Sequence, residues 1–191
     1  MYSSNEEYQR DWEALRSLVQ KRSFEFGDFV LTSGKRSSYY FDGKQVTLCP
    51  EGAWLLARII LHKIKGLGVD AVGGITIGAD PIVGALAAVS YFYGHRDLKL
   101  FIVRKTPKTH GKGRAIEGPA LLPGDRAVVV DDVITTGGSI IEAIEAVRGA
   151  GCQVVKVIAL VDRREGGTER IAAMGIDVDP VFDINHFLLN K

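Results

Sequence analysis

Val128-Val129-Val130-Asp131-Asp132-Val133-Ile134-Thr135-Thr136-Gly137-Gly138-Ser139 is the stretch that decides the fold. The β-branched run at 128–130 suits a parallel strand covered on both faces, which puts Asp131 and Asp132 at its carboxyl end. From Ile140 the apolar residues Ile140, Ile141, Ile144 and Val147 recur at helical spacing, so residues 135–139 turn into a helix N-terminus. Backbone N–H groups are unpaired at such an end. Gly137 and Gly138 let an anion approach the backbone, and Thr135, Thr136 and Ser139 add hydroxyl donors. The two acids would repel that anion but accept hydrogen bonds from a sugar diol. A phosphorylated sugar fits both halves. A plain strand, turn and capped helix is the competing reading, but two adjacent carboxylates at a strand end repel each other and call for a cation, metal or diol. A nucleoside-triphosphate loop is excluded, since no Gly-x-x-x-x-Gly-Lys-Ser/Thr pattern occurs.

Outward from this stretch the chain alternates in the βαβ manner. A helix over about 50–64, a strand at 69–74, a helix from Pro81, a strand at 98–103, the motif strand and its helix, and a strand at 154–161 predict an α/β fold. Its core is a parallel sheet flanked by helices, with ligands at the carboxyl ends of the strands. Trp12, Leu15, Leu18 and Val19 mark an amphipathic N-terminal helix, and residues 24–47 read as short strands and turns. This part breaks the alternation and is expected to be a small hood over the ligand edge. The expected organisation is one domain over residues 1–191. The hood covers about 1–48, with the C-terminal segment a candidate addition, and the core about 49–175.

Composition narrows the function classes. The chain has 191 residues, 46% of them hydrophobic, and a formal net charge of +1, which gives no global case for nucleic acid or an anionic membrane. Cys49 and Cys152 are the only cysteines, without metal-ligand spacing, and read as buried or idle thiols. The N-terminus lacks the basic start and apolar stretch of a signal peptide, and no apolar run is long enough to span a bilayer, so a cytoplasmic protein is expected.

Three further constellations carry chemistry. Residues 104–114 hold Arg104, Lys105, Lys108, His110, Lys112 and Arg114 with Pro107, Gly111 and Gly113, a cationic loop leaving the carboxyl end of a strand. Such a loop is usually solvated, but beside a phosphate cradle it can hold a polyanionic leaving group. Ser37-Ser38-Tyr39-Tyr40-Phe41-Asp42-Gly43-Lys44 places three aromatics next to a lysine; strand alternation would bury some rings and leave at least one to stack on a heterocycle. Asp162-Arg163-Arg164-Glu165-Gly166-Gly167 ends a strand in a charged glycine turn. Asp162 and Arg163 could form a surface ion pair, or the arginine could grip a carboxylate with two parallel hydrogen bonds.

The stretch at 128–139 resembles the phosphoribosyl-diphosphate (PRPP) motif of type I phosphoribosyltransferases. The loop at 104–111 and the turn at 162–167 resemble the orotate branch. The resemblance runs from about Phe24 through Asp162 and the glycine turn. It implies the type I phosphoribosyltransferase fold and transfer of phosphoribosyl from PRPP to orotate, with Mg2+, in pyrimidine synthesis. PRPP would be held by Asp131 and Asp132 on the ribose hydroxyls, by Val133, Ile134, Thr135, Thr136, Gly137, Gly138 and Ser139 around the 5'-phosphate, and by Arg104, Lys105, Lys108 and His110 on the diphosphate. Lys105, Lys108, His110, Asp131 and Asp132 would be catalytic. Tyr40, Phe41, Lys44, Thr135 and Arg163 would hold orotate. The turn Thr76-Ile77-Gly78-Ala79-Asp80-Pro81 resembles the loop contacting diphosphate and metal, with Asp80 a possible ligand. The family implies a homodimer that shares loop 104–114 between subunits. Two positions depart from the enterobacterial pattern, Thr32 and Ile77-Gly78 standing where lysines occur, so Lys44 is a candidate replacement charge. The alternatives are a phosphoribosyltransferase for another nucleobase and a PRPP-sensing regulatory protein.

Overall fold

A computed structural model of the chain describes residues 4–30, 36–105 and 115–188. Its centre is β6 (Arg126–Ile134), buried on both faces as the valine run requires. Parallel to it lie β3 (Ala71–Ile75) on one side and β7 (Gln153–Asp162) on the other. Beyond β3 come β4 (Lys99–Val103), parallel, and the short antiparallel β5 (Ile116–Glu117). Beyond β7, the short β8 (Asp177–Val178) and β9 (Phe182–Asp183) pair with it in parallel. Among the described residues the order is β5-β4-β3-β6-β7-β8. The chain leaves β3 toward β4 and later returns to β6 on the other side, so a crevice opens between the carboxyl ends of β3 and β6.

Alternation along β6 divides the apolar interior. Val128 and Val130 face α3 (Pro50–Lys63) and α4 (Asp80–Phe92) through Leu56, Ile60, Ile82 and Leu86. Ala127 and Val129 share the opposite layer with α5 (Gly138–Gly149) and α6 (Gly167–Ala172). Asp131 and Asp132 lie in the carboxyl-terminal part of the strand, as expected, and β6 continues paired with β7 as far as Ile134 opposite Asp162. Cys49 and Cys152 are free and buried, as read from the sequence. Among the described residues no helix is long and apolar enough to cross a membrane.

The N-terminal part is α1 (Asn5–Arg22) followed by an antiparallel hairpin of β1 (Phe24–Val30) and β2 (Arg36–Phe41), then one turn of helix, α2 (Lys44–Thr47). Ser4 caps α1 by accepting from Glu7 N, and Leu15 and Val19 enter the same core as α3. Arg58 of α3 holds this helix through Glu7 at 2.5 Å and the buried Asp11 at 2.9 Å. The C-terminal α7 (Asn185–Leu188) supplies Phe187, whose ring lies 5.2 Å from Phe24 and 5.4 Å from Phe182. Phe187 thus links the last helix, the hairpin and the edge of the sheet. Phe187→Ala should lower unfolding free energy by about 3–5 kcal/mol, the range for a buried aromatic truncation, measured by urea denaturation. A loss under about 1 kcal/mol would show that this junction carries little stability.

Candidate active site

Asp131 and Asp132 point into the crevice from β6, only 5% and 4% exposed. Side chains at adjacent strand positions normally diverge, yet here both carboxylates meet the same turn. A Cβ on Gly78 would lie 2.1 Å from Asp131 Oδ1 and 2.8 Å from Asp132 Oδ1, so the β3–α4 loop closes on the pair only because residue 78 has no side chain. Asp131 Oδ1 accepts from Asp132 N at 2.9 Å, and Ser139 Oγ donates to Asp131 Oδ2 at 3.4 Å. Burial, then the neighbouring Asp132 charge, push the Asp131 carboxyl up from 3.8 to about 7.

The second acid has a cation. Lys44 Nζ lies 3.2 Å from Asp132 Oδ2 and 3.1 Å from Asp42 Oδ1. Burial opposes the lysine charge, but the carboxylates of Asp132 and Asp42 outweigh it and raise the lysine pKa. Burial likewise works against ionised Asp42, and bonds from Gln45 and Lys44 overcome it and hold its pKa low. Gly43 packs directly on the acid, since a Cβ there would sit 3.0 Å from Asp132 Cβ. The Asp42-Gly43-Lys44 turn therefore docks the hairpin end onto β6. Asp42 and Gly78 were given no role in this pair from sequence; only their places in the two motifs marked them.

The turn after β6 leads into the N-terminus of α5. Gly137 is the N-cap of α5 with φ of 79°, a left-handed conformation suited to glycine, and the helix begins at Gly138, two residues before its apolar periodicity. Gly167 packs against this turn: a Cβ on it would meet Thr135 O at 2.5 Å and Gly137 N at 2.8 Å. Gly167 N donates to Thr135 O at 3.0 Å and an Arg170 guanidinium nitrogen to Thr136 O, fixing the turn from behind. Val133 and Ile134 are the last two residues of β6, where Ile134 is buried and serves as core. Ser139, expected to face the anion, sits in the first turn of α5 and also reaches Asp131.

Arg163 stands one strand away, its N–H bonded to Ile134 O at 2.9 Å. The Asp162–Arg163 pair considered from sequence is corrected. Asp162 is buried and accepts from Arg164 N and Thr168 Oγ1, each at 2.8 Å, while Arg163 Nη2 binds Glu165 Oε1 at 3.0 Å. The reason is the left-handed residue Arg164, φ 57°, which folds the turn back on itself. The Arg163 guanidinium lies 5.4 Å from the Tyr39 ring centre. Strand alternation puts the neighbouring Tyr40 on the other face of the hairpin, 45% exposed and 5.9 Å from Phe29. Phe41 is buried with its ring 5.1 Å from Phe24, so it can meet a ligand only through its backbone. Tyr39, not singled out from sequence, is the ring beside the arginine.

At the ends of β3 and β4 an open cleft of about 530 Å3 is lined by Thr76, Asp80, Ile102, Arg104, Lys105 and Glu117. Thr76 Oγ1 donates to Asp80 Oδ2 at 2.7 Å, and the buried Asp80 Oδ1 has no hydrogen-bond partner among the described residues. Arg104 is held by Glu117 at 3.1 Å, and Lys105 is exposed. Lys108 and His110, like Thr32, lie outside the described residues.

A parallel sheet whose switch-point crevice holds an acidic pair, a glycine turn and a cationic edge defines a sugar-phosphate transferase site. Residues 45–187 match the model of the phosphoribosyl transferase domain. The chain is 45% identical over 179 residues to the orotate phosphoribosyltransferase of Aquifex aeolicus, covering 92% of this chain and 97% of that one. It is 46% identical over 170 residues to that of a Nostoc species, covering 89% and 82%. The Mycobacterium tuberculosis orotate phosphoribosyltransferase solved in complex with PRPP superposes with a TM-score of 0.77 at 32% identity, covering 93% of this chain and 98% of that one. The chain belongs to the orotate phosphoribosyltransferase family.

The state of the acidic pair has a measurable consequence for stability. Asp131 binds its proton more tightly when folded, so stability falls as pH rises from about 4 and the loss is complete above about 7. Asp131→Asn removes that penalty. By urea denaturation it should match the wild type near pH 4 and gain on the order of 2 kcal/mol at pH 8. An equal difference at both pH values would show that the carboxyl is not held protonated by its surroundings.

Proposed function

We propose that this chain transfers the 5-phosphoribosyl group of PRPP to orotate, giving orotidine 5'-monophosphate and diphosphate. The observation that carries the reading is the buried Asp131–Asp132 pair beside a glycine cradle, one strand from the enclosed guanidinium of Arg163. The spacing suits a ribose phosphate next to a carboxylated base. Asp131 and Asp132 accept from the ribose hydroxyls, and the N–H groups and hydroxyls of 135–139 receive the 5'-phosphate. Thr135 borders both the phosphate and the base. Lys44 stands for the lysines missing at Thr32 and Gly78, pairing with Asp132 at 3.2 Å on the base side of the crevice. Arg163 binds the orotate carboxylate beside Tyr39, with the backbone at Tyr40 and Phe41 closing the base side.

Substitution occurs at the anomeric carbon: its bond to the diphosphate oxygen breaks with the electron pair leaving on oxygen, and a bond to the orotate nitrogen forms on the opposite face as that nitrogen gives up its proton to solvent. The protein supplies placement, exclusion of water and charge, with no protein nucleophile. Arg104, Lys105 and Lys108 neutralise the departing diphosphate, and His110 donates a proton to it. Asp80 fits a Mg2+ carried by that group, because its buried Oδ1 has no hydrogen-bond partner and Mg2+ binds through one or two carboxylates plus substrate phosphates. The ion would offset leaving-group charge. The two free, buried cysteines accord with a cytoplasmic enzyme.

Self-association is part of the proposal. Trp54, Tyr91 and Phe92 are exposed on α3 and α4, with Trp54 and Phe92 rings 5.9 Å apart, an aromatic cluster suited to a second copy of the chain. In such a dimer, loop 104–114 would serve the neighbouring site.

Two experiments test this reading. Given PRPP and a panel of orotate, uracil and purine bases, the protein should turn over orotate with a kcat/KM at least about a hundredfold above the others, the worth of charge-assisted bonds to Arg163 that only a carboxylated base can make. Turnover of another base in its place would reassign the substrate, and PRPP binding without turnover would favour a regulator. Mixing inactive Lys105→Ala and Asp132→Asn subunits should restore roughly a quarter of wild-type activity, since half the dimers are mixed and each regains one site. No recovery would place the loop in its own subunit.

A further inference from the structure

Arg163 is nine-tenths buried, yet its charge is only partly satisfied. Its side chain is 10% exposed, Nη2 holds one oxygen of Glu165 at 3.0 Å, and Nε is buried without a partner among the described residues. Nε and Nη2 form one edge of the guanidinium fork, the edge that two carboxylate oxygens fill together. Glu165 therefore engages Nη2 with one oxygen only, and Nε, the other prong of that edge, stays unbonded among the described residues.

The turn is built to bring it there. Asp162 clamps both limbs through Arg164 N and Thr168 Oγ1, and left-handed Arg164 reverses the chain between Arg163 and Glu165. A bare buried guanidinium would be costly, so a resident carboxylate stabilises the free protein. Glu165 is itself 36% exposed and can swing into solvent when its place is taken.

We infer that Glu165 is an internal competitor for the base: its carboxylate holds Arg163 in the free protein and gives way to the carboxylate of the incoming ligand. Binding is then an exchange of one carboxylate for another that makes both bonds, and a base without that group has nothing to offer in exchange. The inference rests on the reading of Arg163 as the carboxylate-binding residue.

Steady-state kinetics on Glu165→Gln, which keeps shape and removes charge, tests it. Without the competitor, kcat/KM for orotate should rise roughly two- to fivefold, the worth of a partly exposed ion pair, while kcat/KM for PRPP stays unchanged. In an Arg163→Gln background the same substitution should have no effect on orotate. If Glu165→Gln leaves orotate kcat/KM unchanged or lowers it, while Arg163→Gln alone weakens orotate, Glu165 is no competitor and the reading of Arg163 survives. If Arg163→Gln leaves orotate kinetics unaltered, the reading of Arg163 fails and the inference with it.

Discussion

Two like charges side by side in a strand buried on both faces form the constraint to which the rest of this structure responds. In water, neighbouring carboxylates cost little. Inside the sheet, Asp131 and Asp132 can be kept only by a shared proton, a cation or hydrogen-bond donors. Each device is present: the raised Asp131 carboxyl, the ammonium of Lys44 on Asp132, and the Ser139 hydroxyl and Asp132 N–H on Asp131. The pair remains able to accept further hydrogen bonds from the crevice.

That requirement also explains where the N-terminal part sits. Lys44 comes from the end of the hairpin and Asp132 from the central strand, 88 positions later, so the ion pair ties the hairpin end to the crevice. Gly43 lets the backbone come close enough for the bond to form. On the other flank, side-chain-free Gly78 lets the β3–α4 loop close over the same acids. A lysine at that position would put its Cβ against the carboxylates, so the cation arrives from the hairpin in this chain. Behind the glycine turn, Gly167 packs against Gly137 and couples that turn to the end of β7, just before Arg163.

What was legible in the sequence was what local chemistry determines. The valine run fixed β6 as an interior strand, the isoleucine spacing fixed α5, and the hydroxyl and glycine composition marked the turn between them. Alternation of strands and helices gave the parallel sheet. The contacts that complete the site are long-range and had no local signature. Nothing in the run Tyr39-Tyr40-Phe41 says which ring faces the core: Phe41 fills it against Phe24, Tyr39 meets Arg163, and Tyr40 turns outward. Likewise Asp162 reads as a partner for Arg163, but the left-handed Arg164 gives that place to Glu165. Pairing with β7 carries β6 past the two acids to Ile134, where the glycine turn begins.

The central claim is that the buried acids recognise the sugar hydroxyls, and it can be measured on the unaltered protein with two ligands. Isothermal titration should show ribose 5-phosphate binding about tenfold to a hundredfold more tightly than 2-deoxyribose 5-phosphate, the worth of one hydrogen bond to a charged acceptor. Equal affinities would mean that the phosphate turn alone holds the ligand and that the acidic pair serves some other purpose.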